Sequence, residues 1–157
     1  MMQGRICFPI HNAKGELMAY SGRWADEDLP EDVPRYLLPK GFEKSKVLYN
    51  LHRVLEKGRD TVVIVEGYWS VLRLYSEGIP CVSTFGDSLS KAQAKQLVKH
   101  GFKSAILIYD RDEAGRTGTI ASLPVLAERL FVRTIALNDG VKPDTMSNKI
   151  VKALPRF

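Results

Sequence analysis

Cysteine is scarce in this chain: its 157 residues include only Cys7 and Cys81. The two lie far apart in sequence, so no C-x-x-C zinc or redox motif can form, and no Cys/His cluster of any other spacing occurs. Both sit in apolar surroundings, and we expect them to be buried and reduced. Long apolar runs are missing as well. No stretch of about 18 apolar residues exists, which excludes a helical membrane span. The opening MMQGRICFPI lacks the apolar core and small-residue cleavage site of a secretory signal, so a cytoplasmic location is expected. Charge of a single sign is limited: 23 Lys+Arg stand against 18 Asp+Glu, a formal balance of +5. This mild excess permits a nucleic-acid or nucleotide partner without requiring one. Internal repeats and low-complexity tracts are absent.

What remains is an ordinary globular composition, 45% hydrophobic and 26% charged, enough for one domain with a small appendage. Two patterns divide it. The first runs over residues 1–59 and is rich in strands and loops. Arg5–Ile10 is a short apolar strand, Asn12-Ala13-Lys14-Gly15 a turn, and Glu16–Ser21 the return strand of a hairpin. Residues 22–46 carry Gly22, Pro30, Pro34, Pro39 and Gly41 among many charges and read as a long loop. Leu48, Leu51 and Leu55 suit a short helix over Val47–Lys57.

The second pattern, residues 60–145, alternates strands with helices. Strands are expected at Thr61–Val65, Cys81–Phe85, Ala105–Tyr109 and Phe131–Leu137. Helices are expected at Tyr68–Ser76, Ser90–His100 and Glu113–Leu130, the last with a restart at Ser122 to accommodate Pro124. Residues 146–157 are a tail or a helix. This alternation implies an α/β fold with a parallel sheet flanked by helices.

Ligands of open parallel sheets gather beyond the carboxyl ends of the strands. Two acidic motifs fall there: Glu66-Gly67 after the first strand, and Asp110-Arg111-Asp112 after the third. Gly67 suits a sharp turn and Gly115 a loosened helix start. In extended backbone, Asp110 and Asp112 project to the same side. Three carboxylates at one sheet edge repel unless a cation intervenes, and hard oxygen ligands suit Mg²⁺. Glu66 would then act as a general acid/base or a further ligand. The alternative is structural: acids at strand ends cap helices, and Asp112 and Glu113 favour a helix N-terminus. No Gly-x-Gly-x-x-Gly follows the first parallel strand, and neither a P-loop nor a G-x-S-x-G elbow is present.

Glu66-Gly67-Tyr68, followed by the string Asp110-Arg111-Asp112-Glu113-Ala114-Gly115-Arg116, resembles the Toprim domain. That domain is shared by bacterial DnaG-type primases, type IA and type II topoisomerases, and certain nucleases and recombination proteins. Upstream, Arg5–Ile10, Gly15, Tyr20–Arg23, Arg35-Tyr36-Leu37 and Lys44–Leu51 resemble the segment before Toprim in bacterial primases. The resemblance implies a Rossmann-like parallel sheet preceded by a partial, basic primase subdomain. It implies metal-dependent RNA primer synthesis, with Glu66, Asp110 and Asp112 holding Mg²⁺, or Mn²⁺ in its place. It assigns Arg5, Arg23, Arg35, Tyr36 and Lys44 to nucleic-acid or nucleotide binding. Single-stranded DNA, ribonucleoside triphosphates and a replicative helicase, engaged outside these residues, would be the partners. The chain would be part of a longer primase-like protein, and Pro39-Lys40-Gly41-Phe42, which differs from the chromosomal primase pattern, suggests one carried by a mobile element.

Two positions depart from the family pattern. Ser70 and Lys142 stand where primases commonly carry acids, and Asp87 is a partial substitute. Tyr68 and Trp69 are expected to pack rather than stack on bases. The departures keep two alternatives open: a Toprim nuclease using the same carboxylates, and a non-catalytic nucleic-acid-binding module with a vestigial metal site.

Overall fold

The computed structural model describes residues 2–156. Strands β1 (Arg5–His11) and β2 (Leu17–Trp24) form an antiparallel hairpin, with Arg5 opposite Trp24 and His11 opposite Leu17. Asn12 organises its turn: Oδ1 accepts the N–H groups of Lys14 and Glu16 at 2.9 and 3.1 Å. The return strand runs past Ser21 to Trp24, and β3 (Tyr36–Leu37) pairs with it. The segment expected as a loop is therefore tied to the sheet at both ends, and a 3₁₀ turn at Lys44–Lys46 follows. Along β1 the side chains alternate. Phe8 and Ile10 are buried while Cys7 is exposed, contrary to expectation; Cys81 is buried as expected. An apolar neighbourhood in sequence does not bury a strand residue, because its immediate neighbours point to the other face.

The second sheet contains β4 (Thr61–Val65), β5 (Cys81–Ser83), β6 (Ser104–Leu107) and β7 (Phe131–Thr134). Its order is β5-β4-β6-β7 and every pairing is parallel. Both faces are covered, which explains the unbroken apolar run in β4. Val63 and Val65 pack into one cluster, with Phe8, Ile10, Tyr49, Tyr68 and Leu74. Val62 and Ile64 pack into the other, with Leu51, Val54, Leu97 and Leu126. Helices α1 (Leu51–Glu56), α3 (Lys91–Lys99) and α4 (Glu113–Ala127) cover the second face. The first face is covered by α2 (Tyr68–Ser76), α5 (Asn148–Ala153) and the hairpin. No helix among the described residues is long and apolar enough to cross a membrane.

Two helices differ from the sequence reading for identifiable reasons. Helix α1 starts only at Leu51, because Tyr49 bridges to Ser83 and Asn50 turns the chain at φ +69°. The Asn50 amide holds that turn by donating to the Cys81 carbonyl at 3.0 Å. Helix α4 does not restart at Ser122 but passes through Pro124 as one helix. The carbonyl deprived of its donor by Pro124 belongs to Ile120, an exposed residue where water can replace the bond. Ser122 instead reaches across the fold: its hydroxyl accepts the Leu89 N–H at 2.9 Å.

Candidate active site

The carboxyl ends of β4 and β6 are adjacent, so the two acidic motifs meet. Glu66 leaves β4 and turns its side chain toward β6, where Oε1 accepts the Asp110 N–H at 2.8 Å. Asp112 caps α4, its Oδ1 accepting the Gly115 N–H at 2.8 Å. The helix start is pressed against this corner. A Cβ on Gly115 would collide with the Asp110 carbonyl and come within 2.8 Å of Glu66 Oε1. Gly115 is thus required by close approach rather than by loosening of the helix. Gly67, by contrast, has ordinary extended backbone (φ −118°) and open space before it, so no sharp turn demands a glycine there.

Burial pushes the Glu66 carboxyl up to about 7, against the stabilising Asp110 N–H bond. The charges of Asp110, Asp112 and Asp87 push in the same direction as burial. Asp87 therefore contributes negative charge to the corner, from a loop whose backbone lies against Gly118 of α4. The fourth partner is a cation. Lys142 Nζ lies 2.6 Å from Asp110 Oδ2. That hydrogen bond raises the Lys142 ammonium above its ordinary value, partly offset by desolvation, and the charges of Asp110, Asp144 and Asp112 add to it. Ser70 donates to Asp144 Oδ1 at 3.4 Å, so both departures from the acidic pattern sit inside the site.

Beside these acids lies a cleft of about 520 Å³, lined by Glu66, Asp110, Lys142 and Asp144 together with Tyr36, Lys44, Trp69 and Phe85. Tyr68 forms the base of an aromatic group, stacked on Phe8 at 4.5 Å and edge-on to Tyr49 at 4.8 Å. Tyr68 is a packing residue, as expected, whereas Trp69 is 39% exposed and faces the cleft. Phe85 adopts φ +63°, a costly conformation for a bulky residue. Ser83 holds it there by accepting the Phe85 N–H at 3.1 Å, while the same hydroxyl donates to the Glu66 carbonyl. One buried serine thereby fixes the backbone on both sides of the acidic corner. Sequence reasoning missed Ser83 and Phe85; the only signal was an apolar residue beside Gly86 at a strand end.

The basic motif positions separate into two groups. Lys44 and Tyr36 line the cleft, and Lys44 Nζ donates to the Phe85 carbonyl at 3.4 Å. The Arg23 guanidinium lies 5.9 Å from the ring of Trp69, at the cleft edge. Arg5 instead donates to the carbonyls of Gly22 and Arg35 at 3.1 and 3.3 Å. Arg35 clamps the carbonyls of Asp26 and Glu27 at 2.8 and 3.0 Å. In the DRDEAGR string, Arg111 and Arg116 both turn to Asp139, away from the carboxylates.

The donor set suits a divalent cation in kind. Its oxygens are hard, crowded and mutually repelling; Glu66 and Asp112 each commit one oxygen to a backbone N–H, and Asp110 meets the Lys142 ammonium through Oδ2. It is not a closed cage: among the described residues no three His, Cys, Asp or Glu side chains converge to hold a metal. An ion here would be held by one or two carboxylates and completed by substrate oxygens, the usual arrangement for Mg²⁺.

A parallel sheet with acidic residues beyond two adjacent strand ends defines a Toprim-like domain, here joined to an antiparallel sheet. Residues 63–146 match the Toprim-like family, and residues 1–55 match the N-terminal domain of the DNA primase catalytic core. The chain belongs to the bacterial DnaG-type DNA primase family. It is 33% identical over 153 residues to the DNA primase of Clostridium acetobutylicum, covering 94% of this chain and 25% of that protein. It is 36% identical over 154 residues to the DNA primase of Legionella pneumophila, covering 92% and 26%. The crystal structure of the Aquifex aeolicus primase, with its zinc-binding and RNA polymerase domains, superposes with a TM-score of 0.80 at 30% identity, over 97% of this chain and 38% of that one. A DnaG primase catalytic domain bound to ssDNA superposes at 0.76 and 29%, over 96% and 49%. The chain spans about a quarter of the length of these curated relatives.

Proposed function

We propose that this chain supplies the nucleotidyl-transfer centre of a cytoplasmic DNA primase, which joins ribonucleotides on a single-stranded DNA template. The observation that carries this reading is the cleft, whose walls bring acids together with Lys44 and exposed aromatic rings. That combination suits a nucleotide, whose phosphates take the cations and whose base takes the aromatic surface. In this reading residues 1–59 are the partial basic subdomain, 60–145 the Toprim domain, and 146–157 a C-terminal extension. A replicative helicase would act through other parts of the protein.

Of Glu66, Asp110 and Asp112, one or two would hold Mg²⁺, or Mn²⁺ in its place, with substrate oxygens completing its shell. When bound, the ion offsets the charge of the phosphates and of the transferring phosphoryl group. Glu66, poised near neutrality, can accept a proton from an attacking hydroxyl and return it to solvent. Lys44 and Arg23 attract phosphates to the cleft mouth, and Tyr36 and Trp69 offer faces to bases. Arg5 and Arg35 act indirectly, by holding the antiparallel sheet that presents Arg23 on β2 and Tyr36 on β3.

The test is primer synthesis by the full-length protein on single-stranded template, with ribonucleotides and Mg²⁺ or Mn²⁺. New short strands that vanish in Asp110→Asn are expected. Shortened template without new strands would replace this reading with phosphodiester hydrolysis. The Lys142–Asp110 ion pair favours one further reading, a non-catalytic binding module. In that case no product forms, and Asp110→Asn leaves single-strand binding intact or tighter.

A further inference from the structure

A cation already occupies the acidic corner. Asp110 is the most enclosed ion-paired carboxylate of this site, its side chain 16% exposed, and Lys142 approaches it from the solvent side with 60% of its own side chain exposed. The approach is set by the backbone. Thr145 closes a turn on Lys142, donating its N–H to the Lys142 carbonyl at 3.0 Å and accepting the Lys142 N–H at its hydroxyl at 3.1 Å. Pro143 stiffens the same turn. The neighbouring cations are engaged elsewhere. Arg111 and Arg116 pair with Asp139, and Lys44 bonds the Phe85 carbonyl.

We infer that Lys142 is a tethered counter-ion that competes with a divalent cation for Asp110. This inference rests on the metal-binding reading of the site. An ammonium 2.6 Å from Asp110 Oδ2 fills the space in which an ion coordinated by that oxygen would sit. The two cations also repel at this range. Binding of the ion through Oδ2 therefore requires Lys142 to swing out, which its flexible stem and exposed position allow. The consequence is a site that stays charge-compensated when empty and binds divalent ions more weakly than its carboxylates alone would.

The experiment is a Mn²⁺ titration of the chain, followed by paramagnetic broadening of amide signals near Glu66–Tyr68 and Asp110–Gly115. Wild type, Lys142→Gln, Lys142→Arg and Asp110→Asn are compared. Lys142→Gln is expected to lower the half-saturating Mn²⁺ concentration about tenfold, and Lys142→Arg to stay near wild type. Equal titration of wild type and Lys142→Gln, with broadening still lost in Asp110→Asn, would overturn the competition while leaving the metal site standing. Absence of local broadening in every variant would remove the metal-binding reading and this inference with it. A melting curve for Lys142→Gln close to wild type excludes misfolding as the cause of any change.

Discussion

The two sheets treat their charged residues differently. In the parallel sheet, Glu66 and Asp110 lie beyond strand ends, where the chain must turn and the crevice opens. In the antiparallel sheet, which ends in the two-residue β3, two motif arginines turn to backbone carbonyls instead. Arg5 bonds the carbonyls of Gly22 and Arg35, the latter also accepting the Trp24 N–H, and Arg35 bonds those of Asp26 and Glu27. A charged motif residue therefore serves the site where it lines the cleft, as Lys44 does while also bonding the Phe85 carbonyl, and the scaffold where it does not, as with Arg35. The acids of the parallel sheet are constrained in a third way, by packing of α4 against the loop that carries Asp87.

The largest expected effect probes that packing. In Gly118→Ala the new methyl meets the Asp87 carbonyl, which is backbone and cannot rotate aside. We expect a Tm lower by about 10 °C, equivalent to about 3 kcal/mol, by thermal melting. An unchanged Tm would show that the parallel sheet's loops yield as easily as those of the hairpin.

A smaller effect separates scaffold from site among the basic residues. Arg35→Ala should cost about 1 kcal/mol of stability yet leave nucleotide and single-strand affinity within about twofold. Lys44→Ala should do the reverse, with little change in Tm and a loss of about fivefold or more in affinity that shrinks at high salt. Paired melting and fluorescence-anisotropy measurements decide it. Similar profiles for the two variants would erase the distinction between the sheets.

The smallest effect is electrostatic. The folded Glu66 carboxyl titrates near 7, above its ordinary value of 4.5. Between those values the folded chain keeps a proton that the unfolded chain has lost, so stability falls as pH rises through this window. The cost is complete above 7. Glu66→Gln should match wild type near pH 4 and exceed it by about 1 kcal/mol at pH 8, after allowance for solvent screening. Melts in a chelating buffer at both pH values check this. A gap independent of pH would mean that burial and the neighbouring acids do not raise Glu66.

Much of the parallel half was legible because its signals are local. An apolar run buried on both faces, a helix opening near Ser90, and acids immediately after strands each announce themselves within a few residues. The hairpin half was less legible. The continuation of β2 to Trp24 and its pairing with Tyr36–Leu37 depend on contacts across a long segment that carries no periodic pattern. The same holds for Tyr49, which abandons a helical period to bridge Ser83.

The amino-acid sequence alone determined the α/β alternation, the placement of Glu66, Asp110 and Asp112 at strand ends, and the resemblance that the comparisons bear out. These follow from side-chain periodicity and neighbouring residues, which the chain carries wherever it folds. Only the tertiary structure decided that Lys142 reaches Asp110, that Ser83 fixes both Glu66 and Phe85, and that Arg5 and Arg35 serve the backbone. Hydrogen bonds and ion pairs act over about 3 Å, and which groups come that close across tens of residues is settled by packing.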